Sequence, residues 1–137
     1  MKKVSGTISH PLTVEEPIVL TGVAPRGALV CEGGSLDLRG VVGDRLTIEP
    51  GGYVLLSGTC DATVTIHSGG LLEVAGTLNG RIARNDGEVW AMVGSTIQGR
   101  LLTALGLLGP LDPEATVEAG APRFRLTSVG GLLEVVP

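Results

Sequence analysis

Only three of the 137 residues are aromatic, so the interior has to be filled by aliphatic side chains instead of stacked rings. Cysteine is nearly absent. Cys31 and Cys60 form no CxxC pair, which excludes a disulfide framework. Histidine is equally scarce: with His10 and His67 alone, a three-histidine zinc centre cannot be assembled from one chain. Ten basic residues against fourteen acidic ones leave a net charge of −4, which repels a phosphate backbone, so nucleic acid is not an expected partner. Long apolar runs are missing as well. The longest, residues 101–111, is interrupted by Thr103, Gly106, Gly109 and Pro110 and falls short of the roughly 20 residues that cross a bilayer as a helix. Peripheral contact with a membrane stays open. The opening Met1-Lys2-Lys3 leads into Val4-Ser5-Gly6 and not into an apolar signal segment; together with the sparse cysteine this gives a cytoplasmic expectation.

Glycine, by contrast, is abundant at 22 residues, and it is periodic. Gly22, Gly40, Gly58, Gly76 and Gly94 stand 18 residues apart, and a second column at the same step holds Gly33, Gly51, Gly69 and Gly87. Aliphatic columns keep the same period, as in Leu20, Leu38, Leu56, Val74, Met92 and in Leu36, Val54, Leu72, Trp90. Within each period apolar and polar residues alternate, for example Leu46-Thr47-Ile48 and Val64-Thr65-Ile66, which is strand and not helix. Eighteen residues divide into three short strands and three corners, the corners carrying glycine or residues such as Asp61 and Asn79 that tolerate a left-handed backbone. Triangular coils of this kind, stacked about 4.8 Å apart, pair each strand with its copies above and below. The fold class is therefore all-β, a single parallel β-solenoid over 1–137. Regular coils are expected at about 18–100, an irregular loop or cap at about 101–115, and terminal coils over 116–137, where Gly130-Gly131-Leu132-Leu133-Glu134-Val135 repeats Gly69 to Val74 letter for letter. Val4 to Ile8 and Leu12 to Glu15 match later coils closely enough to place a first coil, two residues short, near the N-terminus.

The line Gly70-Leu71-Leu72-Glu73-Val74-Ala75-Gly76-Thr77-Leu78-Asn79-Gly80-Arg81-Ile82 resembles the bactofilins, bacterial polymer-forming cytoskeletal proteins, and the resemblance covers roughly residues 35–100. It implies a right-handed parallel β-helix that works by self-assembly. An aliphatic residue at every sixth position from Leu36 to Leu78 is also similar to the left-handed hexapeptide-repeat helix of acyltransferases and γ-class carbonic anhydrases. Handedness stays open between the two. Leu46, Val64 and Ile82, at a corner position that hexapeptide proteins fill with small side chains, favour the right-handed form.

Little chemistry is legible. His67 falls in a column with Glu49 and Asn85 beside a glycine corner, His10 beside Pro11, Cys60 in the inward column of Val42 and Leu78, and Cys31 in the column of Glu49 and His67. The acidic residues spread over different faces and do not converge, and no phosphate loop occurs. No catalytic, cofactor-binding or metal-ligating residue is assigned, and no cofactor is expected. One face stands out: a fixed 18-residue step sends Trp90 and Met92 inward and Tyr53, Leu55, Leu71, Val89, Ala91 and Val93 outward, an apolar patch of the kind that marks an interface. Residues 101–111 have the leucines to fold back over it. The expected function is a non-enzymatic scaffold that associates with itself, through its coil ends or this lateral face. The alternative is a compact acidic module that sequesters one protein partner, such as an immunity protein on a basic toxin; a hexapeptide-type enzyme with a shared site around His67 ranks below both.

Overall fold

The computed structural model describes residues 2–136, all of them strand, turn or irregular, with no helix. The first coil contributes β1 (Lys2–Val4) and β2 (Leu12–Val14), the second β3 (Pro17–Leu20), β4 (Val23–Ala24) and β5 (Ala28–Val30). The third runs through β6 (Ser35–Leu38), β7 (Val41–Val42) and β8 (Arg45–Ile48), and the fourth through β9 (Tyr53–Leu56), β10 (Thr59–Cys60) and β11 (Thr63–Ile66). The fifth comprises β12 (Leu71–Val74), β13 (Thr77–Leu78) and β14 (Ile82–Asn85), and a sixth begins with β15 (Glu88–Met92) and β16 (Thr96–Ile97). Strands from successive coils pair in parallel and make the three walls of a β-solenoid of about five turns. Here the first wall is the one containing β1, the second that containing β4, and the third that containing β2.

Register shows how regular the coiling is. Lys2 faces Ile18 and Leu12 faces Ala28, a sixteen-residue step in the first coil. The next steps are eighteen residues on every wall, as in Ser35 to Tyr53 to Leu71 and Val41 to Thr59 to Thr77. Inward side chains form one continuous aliphatic column. Leu36, Leu38, Val42 and Leu46 with their copies in the next two coils, Cys60 among them, and Ile48 with Ile66 are buried. Burial of such columns supplies the main driving force, roughly 25 cal/mol per Å² of apolar surface removed from water.

The two glycine columns serve different physical needs. Gly33, Gly51 and Gly69 have φ of +78°, +81° and +87°, the left-handed region in which a side chain is strained. Gly22, Gly40, Gly58 and Gly76 do not. There an added Cβ would lie 1.9 to 2.5 Å from a carbonyl oxygen of the preceding coil, so these positions are glycine because backbone passes directly over backbone. The corner at Gly43, Asp61 and Asn79 keeps an ordinary φ, and the left-handed residue nearby is Asp44 at +60°.

Beyond the fifth coil the expected register fails in a compensated way. Thr65 pairs with Arg84 across a bulge that leaves Ala83 out, Leu71 then pairs with Glu88, seventeen residues on, and Thr77 with Thr96, nineteen on. The even spacing of Gly76 and Gly94 is therefore a coincidence of counting. Gly94, at φ +97°, sits in a turn beside Thr116, and Ser95 takes the place in the column, its buried hydroxyl donating to the Val74 carbonyl at 3.0 Å. Gly87 immediately precedes Glu88, the first paired residue of β15, in a corner shortened to Asp86 and Gly87.

The C-terminal portion is not a further coil. β17 (Arg100–Leu102) runs antiparallel on β16, and β18 (Leu108–Gly109) antiparallel on β17. β19 (Arg123–Val129) runs antiparallel on β15 and turns back into β20 (Leu132–Val135). Two-residue turns cause both reversals, Gln98-Gly99 at φ +52° and +77° and Gly130-Gly131 at +60° and +90°, the type I′ geometry that fits the twist of a tight hairpin. The coil expected over 116–137 is thus replaced by an irregular stretch and a hairpin.

Gly58→Ala and Gly33→Ala separate the two glycine roles. The Gly33 position has nothing within 4 Å of an added Cβ, so alanine there costs only left-handed strain, about 1 kcal/mol. At Gly58 the carbonyl of Gly40, 2.2 Å away, must move, and urea unfolding is expected to show a loss of about 3 kcal/mol.

Candidate association surfaces

The lateral face expected to be apolar is divided by charge. Outward positions on the first wall run Lys3, Val19, Asp37, Leu55, Glu73, Trp90 and Arg125 from one end to the other. Tyr53, Leu55 and Leu71 do face outward, half-buried among these neighbours. Val89 and Ala91 do not: the seventeen-residue step puts them under Leu72 and Val74, fully buried, and turns Trp90 and Met92 to the outside. Val93 is half-buried at the turn that follows, its N–H donating to the Pro122 carbonyl at 2.8 Å. Val89-Trp90-Ala91-Met92 is apolar on both parities, and only Glu88, at the head of the strand and on the parity of Trp90 and Met92, marks which set faces out.

Around Trp90 the wall is clamped. The Arg123 guanidinium, carried by β19, lies 5.0 Å from the centre of the Trp90 ring and donates to Glu73 Oε1 at 2.9 Å. That reach spans two strands and ties the hairpin to the side of the solenoid. Burial and the neighbouring Glu73 carboxylate both raise the Tyr53 hydroxyl above its ordinary pKa.

Residues 101–111 do not cover this face. They extend the second wall, with Leu102 buried under the end of the core and Leu105, Leu107 and Leu111 exposed, Leu105 at 85%. Exposed aliphatic residues gather here and on the hairpin, at Val129 and Leu132.

The two ends of the solenoid differ. At the C-terminal end Leu102, Leu126 and Leu133 close the aliphatic column, and a single side chain joins the pieces. Gln98 Nε2 donates to the carbonyls of Gly80 and Gly131, both at 3.0 Å, while its Oε1 accepts the Leu133 N–H at 2.8 Å. Arg100 donates to the Leu133 carbonyl at 2.6 Å and to Glu134 Oε1 at 3.0 Å. Side chains therefore occupy the outer N–H and C=O of Leu133, the groups with which β20 would recruit another strand. The Ile82 N–H, at the edge of the third wall, is taken by the Gly131 carbonyl at 3.0 Å. At the N-terminal end no described residue pairs with the outer edges of β1 and β2, and Lys2, Lys3, His10 and Pro11 lie exposed there.

The remaining candidates stay apart. His67 Nε2 stands 3.9 Å from Glu49 Oε2 on the third wall, in a column whose next member is Asp86, since the bulge at Ala83 moves Asn85 into the inward column of Ile66. His10 Nδ1 lies 3.0 Å from the Pro11 carbonyl in the first coil. Among the described residues no three His, Cys, Asp or Glu side chains gather as metal ligands. Among the described residues no helix is long and apolar enough to cross a membrane. Comparison of the chain with known protein families, curated proteins and solved structures returns no match.

Gln98 carries the strongest structural signal that periodicity passes over; Thr96-Ile97-Gln98-Gly99-Arg100-Leu101 contains a two-residue turn between short apolar runs, as does Val129-Gly130-Gly131-Leu132. Gln98→Ala removes three hydrogen bonds and is expected to cost about 3 kcal/mol in urea unfolding, with the Leu133 amide losing protection in hydrogen exchange.

The two thiols should separate by reactivity. Burial pushes Cys60 up to about 11, whereas Cys31 is partly exposed. A thiol reagent at pH 8 is expected to modify Cys31 quickly and Cys60 only after unfolding. Because the folded state holds the Cys60 proton more tightly than the unfolded chain, the contribution to stability is complete below the ordinary thiol range and is lost as pH rises towards about 11. Cys60→Ala is expected to flatten that alkaline loss in chemical-denaturation curves.

Proposed function

We propose that this chain is a non-enzymatic association module that joins copies of itself through the N-terminal end of its solenoid. The observation that carries the reading is the difference between the ends, one covered by two antiparallel extensions and the other presenting strand edges that no described residue pairs. Unpaired edges of a twisted, regular ladder recruit further strands unless something blocks them. Two N-terminal ends meeting face to face make a self-complementary contact that closes at a pair. The bactofilin-like repeat supports assembly as the purpose of the fold, and the covered C-terminal end favours pairs over filaments. The divided lateral face, with Asp37 and Glu73 flanking Leu55, supports an axial contact over a lateral one.

A second reading, capture of one protein partner, is favoured by the exposed leucines Leu105, Leu107 and Leu111 on the C-terminal extension. Light scattering over a hundredfold concentration range distinguishes the two, since pairing raises the mass to two chains and no further, whereas a capture module stays at one.

Edge chemistry sharpens the test. The Val4 carbonyl accepts from the Thr21 N–H, so Val4 faces β3 and its neighbour Lys3 directs N–H and C=O to the free side. Lys3→Pro removes that donor and is expected to weaken pairing tenfold or more while leaving the unfolding midpoint nearly unchanged. Lys2 and Lys3 approach their counterparts in such a pair, so raising the salt concentration is expected to strengthen it. Weaker pairing at high salt would count against this geometry.

A further inference from the structure

We infer that the upper edge of the last coil is an assembly surface for a second copy of this chain, and that the C-terminal hairpin is its resident occupant. This concerns the end opposite to the one used for pairing, and on the incoming copy it engages the same β1 and β2 edges, so the two contacts compete for them. It does not depend on that pairing taking place.

Three observations lead there. First, β15 and β16 still pair in parallel with the coil below, so their other edges are the same kind of edge that each earlier strand offers to the next coil. What sits on them runs the other way: β19 and β17 are antiparallel, an interruption of the ladder and not its continuation. Second, the hairpin is made partly of solenoid sequence. Gly-Gly-Leu-Leu-Glu-Val occurs at 69–74, inside the body, and again at 130–135, in the cover. In both places the second leucine and not the first enters the core, Leu72 and Leu133 being fully buried. The end of the column thus accepts the inward side-chain pattern of another coil, and a second copy presents that pattern. Third, the cover is joined to the body by a tether. Residues 110–122 hold no strand, contain three prolines and are mostly exposed, enough chain to let the hairpin leave without disturbing β17 and β18.

With the hairpin lifted, the free edges of β1 and β2 in one copy can stack on β15 and β14 of another, wall on wall. That contact uses different surfaces on the two copies, so it does not close and growth continues. Gln98, Arg100 and Arg123 are the side chains that hold the stop in place, the first two by blocking β20 and the third through Glu73 and Trp90.

The test releases the hairpin within the full chain. Leu126→Asp with Leu133→Asp places two carboxylates where 1% and 0% of the residue is exposed, and trypsin cleavage after Arg123 and Arg125 reports release. The expected result is a mass by light scattering that climbs at least tenfold above wild type as concentration rises, and that falls when a synthetic peptide of residues 123–136 is added to occupy the same edge. A released hairpin with wild-type mass overturns the inference. Growth indifferent to the peptide overturns it too, because an unfolded chain would aggregate in that way, and a trypsin-resistant double variant shows that the hairpin is not a separable cover. A wild type that stays at one chain removes only the pairing reading, since this growth is measured against wild type.

Discussion

The hydrogen-bond ladder between coils sets every other feature of this molecule. Parallel strands can bond to their neighbours only at one spacing, so each coil must repeat the path of the last. A repeated path places like residues above like, and this is why a column that is aliphatic in one coil is aliphatic in the next. It also forces backbone to cross closely over backbone at one corner. The carbonyls of Gly22, Gly40 and Gly58 occupy the volume in which a side chain on the following coil would lie, so glycine there follows from the ladder and not from a turn. The long aliphatic columns and the abundance of glycine are two results of one constraint.

Such a constraint makes the body of the solenoid legible from composition and period alone. From residue 17 to residue 82 every wall keeps an eighteen-residue step, and counting in eighteens puts each side chain on its correct face. The method fails where length changes cancel. Between coils five and six the chain drops two residues at one corner and adds two at the next, so that the glycine count survives while the register does not. Val89 and Ala91 are misplaced for that reason, because Val89 to Met92 are apolar on both parities and the strand's single charge stands at its first position, beside the shortened corner. That charge, Glu88, lies on the parity of Trp90 and Met92 and marks them as outward, as Glu73 and Asp37 mark the outward set in earlier strands.

The hexapeptide at 130–135 shows a second limit. Six identical residues form a corner and a parallel strand at 69–74, and a tight turn and an antiparallel strand at 130–135. What differs is the backbone of the second glycine: Gly131 adopts φ +90° whereas Gly70 keeps an ordinary value. Two consecutive left-handed residues reverse the chain, one only bends it. Flanking sequence makes that choice. Ser68 and His67 lead out of a strand already paired on both sides, while Val129 ends a strand that has only β15 beside it and must find a partner of its own.

The ends of such a fold carry more of its character than the middle does. Inside the stack the same repeating pattern pairs strand with strand, and most of the outward residues are polar. At the end of the sixth coil that pattern is replaced by particular side chains: Gln98 held at φ +52° to reach three partners, Arg100 donating to the last strand, and Arg123 laid over Trp90. A strained glutamine is worth its conformational cost only if leaving those backbone groups open is worse. Open edges are harmless to the fold of a single chain in water, which can hydrate them, and they become costly when another copy can reach them. The side chains concentrated at one end, set against the plain lysine-bearing edge at the other, are the asymmetry on which the proposed contacts between copies rest.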